Sequence, residues 1–197
     1  MVTVGNTAPT VALTVPVEDG TFAFGDTIPF SVNASYTDHG DGAVPALSTA
    51  AQTTIRQKRQ EVEHVVSQSG TNTATSTDQG GGLQRGSLGN GDWMRLNGPF
   101  DLVNITSLTL RTSGGAAGTA VGNAEVRLDA VDGPLLTTVT VQGTGAGSVY
   151  ASTQVPITDP GGLHDIYLVF RPVAAGPTNN FFNLNWTEFG GTGVAAT

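Results

Sequence analysis

The sequence predicts an all-β fold, and three observations carry the prediction. Glycine and proline, 27 and 10 in 197 residues, punctuate the chain throughout. Threonine, valine, alanine and serine fill much of the space between, and leucine and alanine nowhere recur at the spacing of a long helical stripe. Short segments alternating apolar and polar residues return about every dozen residues, each closed by a turn signal.

Taken in order, residues 9–17, "PTVALTVPV", place Val11, Leu13, Val15 and Val17 on one strand face. After the turn "EDG", Phe22, Phe24, Ile28, Phe30 and Val32 continue the alternation. This is the opening of an immunoglobulin-like sandwich, but residues 1–55 hold too few strands for one, which needs about seven. A partial segment is therefore expected there, its apolar strands packing on a neighbour or on a second copy by self-association. Residues 43–57 read as a further strand. The charge cluster "RQKRQEVEH" at 56–64 is read as strand because Val62 alternates with Glu61 and Glu63. The Gly-, Thr- and Ser-rich stretch 67–91 reads as loops. Seven strand segments follow: "DWMRLN", "SLTLRTS", "AEVRLDA", "LLTTVTVQ", "VYASTQVPI", "DIYLVFRP" and "FFNLNWTEF". They make residues 56–192 a second, complete sandwich of jelly-roll type.

The formal net charge of −8, with Lys58 the one lysine, argues against nucleic acid and anionic membranes as partners and favours neutral ligands and cations. No cysteine means no disulfides and no thiol chemistry. No run approaches the length of apolar residues that spans a bilayer. The bare "MVTVG" start reads as that of an excised piece, so any export signal is expected to lie outside it.

"GNGDWMRL", "AEVRLDAVDGPLLTTVTVQGTG", "GLHDIYLVF" and "FFNLNWTEF" occur in the order and spacing of carbohydrate-binding module family 6, and residues 56–190 resemble that family. Residues 1–55 resemble a truncated PKD-type immunoglobulin-like domain, a pairing familiar from secreted bacterial sugar-dehydrogenase-like proteins. The resemblance implies a noncatalytic module that binds polysaccharide or oligosaccharide, is stabilised by calcium, and is secreted.

In the closing strand, Asn183, Asn185 and Thr187 are expected on one face, with Phe182, Leu184 and Trp186 in the core on the other. Asparagine is depleted in strands, so the pair either meets solvent and loop backbone or serves a ligand. The resemblance gives Asn183 a hydrogen bond to sugar hydroxyls in a loop-end cleft, and puts Asn185 near a structural calcium. It also places Ser87 and Gly147 where the family's two sugar-stacking aromatics stand, so this cleft is expected to bind weakly. Tyr150 and Trp93 are expected in the core. The concave sheet face, a second site in some relatives, is the other surface the resemblance offers. Glu61 and Glu63, two apart on one strand face, repel unless a cation lies between them, and hard oxygens with an amide suit calcium. Beside Arg59 and Lys58 they equally make a solvated face. Asp92 is expected to fix a turn and His164-Asp165 to mark a strand entry. No nucleophile or acid–base constellation emerges, so no enzyme is expected. The alternative is a structural module of the same fold with a degenerate sugar site.

Overall fold

A computed structural model describes residues 11–12, 30–38, 40, 43, 45–174, 176–192 and 195–196. The strands are β1 (Val11–Ala12), β2 (Phe30–Thr37), β3 (Ser48–Ile55), β4 (Arg59–Glu61), β5 (Ser67–Ser69), β6 (Asn72–Thr75), β7 (Leu83–Gly86), β8 (Trp93–Arg95) and β9 (Phe100–Asp101). They continue with β10 (Ile105–Ser113), β11 (Ala120–Leu128), β12 (Leu135–Gln142), β13 (Tyr150–Pro156), β14 (Leu163–His164), β15 (Ile166–Arg171), β16 (Asn183–Gly191) and β17 (Ala195–Ala196). One 3₁₀ turn, Val62–His64, interrupts them. Among the described residues no helix is long and apolar enough to cross a membrane.

Two sheets make the sandwich. One has the order β13-β10-β16-β7-β6, with β4 also on β16; the other runs β12-β11-β15-β8-β5. Leu108, Leu110, Leu184 and Phe189 from the first meet Val126, Val139, Leu168 and Phe170 from the second in one buried cluster. Phe170 and Phe182 cross the layers edge to face, 5.8 Å between ring centres. Each such side chain contributes about 1.5–3 kcal/mol by leaving water. The third sheet, β1-β2-β3-β17-β9-β14, joins strands from both sides of residue 55, because β17 pairs with β3 and with β9. The pattern of Phe22, Phe24 and Ile28 lies outside the described residues.

All seven sandwich segments read from the sequence are strands. Three expectations are corrected. The stretch 67–91 carries β5, β6 and β7. Its β6 is exposed at every residue, so it has no apolar face to betray it. Glu61 and Glu63 do not share a strand face, because β4 ends at Glu61 and the chain turns at once. Finally, the alternation of β16 is broken. Arg111 pairs with Trp186 and Thr112 with Leu184, which leaves Asn185 as the extra residue of a β-bulge. Leu184, Asn185, Thr187 and Phe189 are consequently all buried, and Trp186 is turned away from the core.

Candidate functional site

Asn183 opens β16 next to the last residue of β10, to which its Nδ2 donates through Ser113 Oγ at 3.3 Å. Three glycines ring the amide. A Cβ built on Gly86 would lie 3.0 Å from Asn183 Oδ1, one on Gly147 3.4 Å from Nδ2, and one on Gly114 4.0 Å from the same nitrogen. The amide thus faces bare backbone at three glycines, and among the described residues its Oδ1 has no hydrogen-bond donor. Ser87 follows Gly86, exposed and in left-handed backbone at φ 56°. Asn183, Gly147 and the Gly86–Ser87 corner are therefore one neighbourhood, with no aromatic residue at 87 or 147; the ring beside it is Tyr150, which lies across Ser113 from Asn183. Tyr150 does not enter the core. It is half-buried, and its hydroxyl accepts from the Thr77 amide at 3.2 Å and donates to Gln84 Oε1 at 3.0 Å. Its polar handle needed partners, which an apolar core does not supply.

Beyond the bulge, a cavity of about 20 Å³ is lined by Glu61, Glu63, Asn185, Trp186 and the loop Gln79–Gly82. That is room for one atom-sized occupant. β4 lies antiparallel on β16, with Glu61 opposite Trp186, and this brings the first acid beside the bulged amide. Asp78 accepts from Asn185 Nδ2 at 3.1 Å, fixing which end of the amide faces the cavity. Arg111 in turn holds Asp78 through two bonds of 2.8 Å, and its guanidinium keeps that carboxyl below the usual range. The Asn185 Oδ1 and Glu63 Oε2 atoms are buried with no hydrogen-bond partner. Two orphaned hard oxygens beside a buried carboxylate are what a divalent cation would satisfy. Among the described residues no group of three or more histidine, cysteine, aspartate or glutamate side chains comes together as a metal cluster. A cation here would draw on two carboxylates, one amide oxygen and main-chain carbonyls.

Burial first, then Glu63, pushes the Glu61 carboxyl up to about 7 from its ordinary 4.5. A carboxyl that holds its proton more tightly when folded stabilises at low pH, and the contribution is lost as pH rises through the folded value. Without a cation, stability is expected to fall between about pH 5 and pH 8 by at most roughly 3 kcal/mol. Melting curves across that range in chelator check this, and Glu61→Gln should flatten them.

The outer face of the β12-β11-β15-β8-β5 sheet presents a different surface. Met94 and Leu96 are fully buried, so strand period two sends Trp93 and Arg95 outward. The expectation of a core Trp93 is corrected, and the alternation with Met94 was the signal that could have corrected it earlier. Trp93 pairs across the strand with Val169, and Tyr167 with Arg95. The two rings are diagonal neighbours, 5.8 Å apart and inclined by 50°. Val169, on the same face, is buried yet lies outside the core cluster. Arg95 donates to Asp165 Oδ1 at 2.8 Å, and Arg127 to Glu125 Oε2 at 3.0 Å. At the edges, Asp92 Oδ2 accepts from the Gly89 amide at 2.6 Å, as a turn-fixing residue does, and His164 Nδ1 lies 2.9 Å from Asp129 Oδ2.

Residues 61–191 match the family described as "Carbohydrate binding module (family 6)". An arabinoxylan arabinofuranohydrolase of Paenibacillus polymyxa is 32% identical over 134 residues, covering 66% of this chain and 20% of the enzyme. The chain thus spans about a fifth of the length of such relatives. A family 6 module from Clostridium cellulolyticum, solved in complex with xylose, superposes at TM-score 0.59 with 33% identity, covering 68% of this chain and 97% of that one. A β-1,3-glucan-binding module from Bacillus halodurans does so at 0.59 with 27% identity, covering 68% and 95%. The match over most of the chain, on a sandwich that sets an asparagine in a glycine-lined cleft, means that this chain belongs to carbohydrate-binding module family 6.

Proposed function

We propose that this chain anchors a secreted, multidomain glycan-degrading protein to its polysaccharide without catalysing a reaction itself, and that its main sugar platform is the outer sheet face bearing Trp93 and Tyr167. The observation that carries the reading is the contrast between two surfaces. Beside Asn183 the positions 87 and 147 carry no ring, and the one ring near it, Tyr150, is tied by its hydroxyl to Thr77 and Gln84, whereas the sheet face has two adjacent, half-buried rings. Sugar hydroxyls largely exchange one hydrogen bond for another on leaving water, so aromatic burial supplies most of the net affinity. The curated relatives bear the name arabinoxylan arabinofuranohydrolase, which supports arabinoxylan-like polysaccharide as the target class. A polymer of that size is met outside the cell, which supports secretion.

Calcium is the structural cation of this reading, held by Glu61, Glu63 and Asn185. It would supply positive charge to two carboxylates that otherwise repel, and so tie β4 to the bulge of β16. Asp78 and Arg111 orient the amide for that task.

The Asn183 cleft is the weaker site. Asn183→Ala is expected to change the affinity for xylo- or gluco-oligosaccharides less than twofold. The double variant Ser87→Tyr, Gly147→Trp should create millimolar or better binding there, at roughly −4 kcal/mol. Position 147 has ordinary space for a side chain beside Asn183 Nδ2, and residue 87 is already a non-glycine in left-handed backbone. Calorimetric titration checks both, and a large loss in Asn183→Ala would return the main site to the cleft. Self-association through residues 1–55 is a separate reading. It is supported by the strand pattern of Phe22, Phe24, Ile28 and Phe30, and it fails if residues 56–197 alone scatter light as the full chain does.

A further inference from the structure

The outer sheet face carries more charge than a platform for neutral sugar needs. Three of the chain's eight lysine and arginine residues, Arg95, Arg127 and Arg171, lie on it. The carboxylates on the same face are Glu125 and Asp165, with Asp129 at its corner beside His164. Most of these groups are spoken for. Arg127 takes Glu125 through Nε and Nη2 and sends Nη1 to the Gly133 carbonyl at 2.8 Å. Arg95 takes Asp165. Asp129 takes His164 and the Asp165 amide.

Arg171 is the most loosely held and the most exposed of the three arginines. Its Nε reaches only Glu125 Oε2, at 3.4 Å, an oxygen that Arg127 already uses. Its two terminal nitrogens meet no acceptor among the described residues, and its side chain is 40% exposed. The neighbours leave it room. Asn123, opposite on β11, is satisfied by the Pro172 carbonyl and Thr140. On the β8 side stands Gly91, whose absent Cβ would lie 3.9 Å from Arg171 Nη1. Asp92, next along, has its carboxylate turned to the Gly89 amide. Trp93 is opposite Val169, two residues from Arg171 on the same strand face and so about 7 Å away along it.

We propose that Arg171 is a specificity-determining residue for an acidic glycan, receiving the carboxylate of a uronic acid whose pyranose, or the sugar next to it, lies on Trp93. A planar guanidinium with two free donors matches a carboxylate in paired hydrogen bonds, which a neutral hydroxymethyl group cannot reproduce. The chain's net charge of −8 does not forbid this, because at physiological salt charges beyond about 8 Å are largely screened, and the one carboxylate against Arg171, Glu125, is already paired with Arg127. The proposal rests on the sheet-face reading above and names the ligand class for it.

The test is calorimetry on the full chain with two probes: a xylo-oligosaccharide bearing one glucuronic acid, and the same oligosaccharide with its carboxyl reduced to the alcohol. Tighter binding of the acidic probe by about tenfold is expected, with the preference abolished in Arg171→Gln and partly kept in Arg171→Lys. Melting curves of both variants guard against misfolding. Equal binding of the two probes, with both lost in Trp93→Ala, overturns the acidic preference alone. A preference that persists in Arg171→Gln overturns the role of this residue. Binding of both probes that is indifferent to Trp93→Ala overturns the sheet-face reading and this one with it.

Discussion

Trp93→Ala is expected to weaken glycan binding by roughly thirtyfold or more, a loss of about 2 kcal/mol, which is the scale of a buried aromatic anchor. Most of Trp93 is already covered within the protein, so a sugar need cover only the part left exposed. The ring also shares the cost of shielding Val169 with Tyr167, so Tyr167→Ala should show a smaller loss of the same kind. Trp93→Phe, which keeps a ring and sheds area, is expected to lie between. The fold should survive all three, because the residues that hold β8 in place are Met94 and Leu96, both fully buried on the opposite face. Isothermal titration alongside melting curves separates lost affinity from lost structure.

Removing calcium is the second large effect. A cation that binds only the folded chain stabilises by about 2.7 kcal/mol at a hundred times its dissociation constant. For a chain of this size that corresponds to roughly 5–10 °C in melting temperature. Excess chelator is expected to lower Tm by that amount at neutral pH, and Glu63→Gln to remove most of the response. Asp78→Asn should do the same in part without touching the ion, because the Asn185 amide would lose the partner that turns its oxygen to the cavity. The direction with pH is a further discriminator. Chelated protein loses stability as Glu61 ionises, whereas loaded protein keeps it, since a bound cation favours the ionised carboxylate. A Tm indifferent to chelator, with no metal by elemental analysis, would return Glu61 and Glu63 to a solvated rim.

Much of the sandwich was legible because its strands obey period two over long stretches. β10 buries Leu108 and Leu110 and turns Thr109 and Arg111 outward, and β15 does the same with Ile166, Leu168 and Phe170 against Tyr167 and Arg171. Where the period fails, the reading fails. β6 is a polar edge strand exposed on both faces, so "NTAT" carries no pattern and reads as loop. The bulge at Asn185 inserts one residue between Trp186 and Leu184, and no local signal marks it. It swaps the fates of Trp186 and Thr187. The threonine goes into the interior, donating to the Thr109 carbonyl at 3.2 Å, and the tryptophan goes outward under Arg59, whose guanidinium stands 4.0 Å from the ring centre.

The site residues were legible to a different degree. Asn183, Gly147 and the Gly86–Ser87 corner come together across long sequence separations, which the motif order implies and composition does not. The pairing of Glu61 with Asn185 rests on the neighbouring of β4 and β16. The part played by Asp78 was hidden, since an aspartate in a serine, threonine and glycine loop looks like any turn residue until Arg111 and Asn185 are seen on its two oxygens. The outer-face arrangement was hidden too. Trp93, Tyr167 and Arg171 come from two strands more than 70 residues apart, and only their pairing puts them on one surface.

The central claim, that glycan is held on the outer sheet face, is tested most directly by mapping amide and indole chemical shifts during titration with a xylo-oligosaccharide. The account predicts that the Trp93 indole N–H and the amides of Tyr167, Val169 and Arg171 move together with one affinity, while Gly86, Ser87, Gly147 and Asn183 stay still. Saturable shifts confined to Gly86, Ser87, Gly147 and the Asn183 side-chain amide, with the Trp93 indole unmoved, would contradict it.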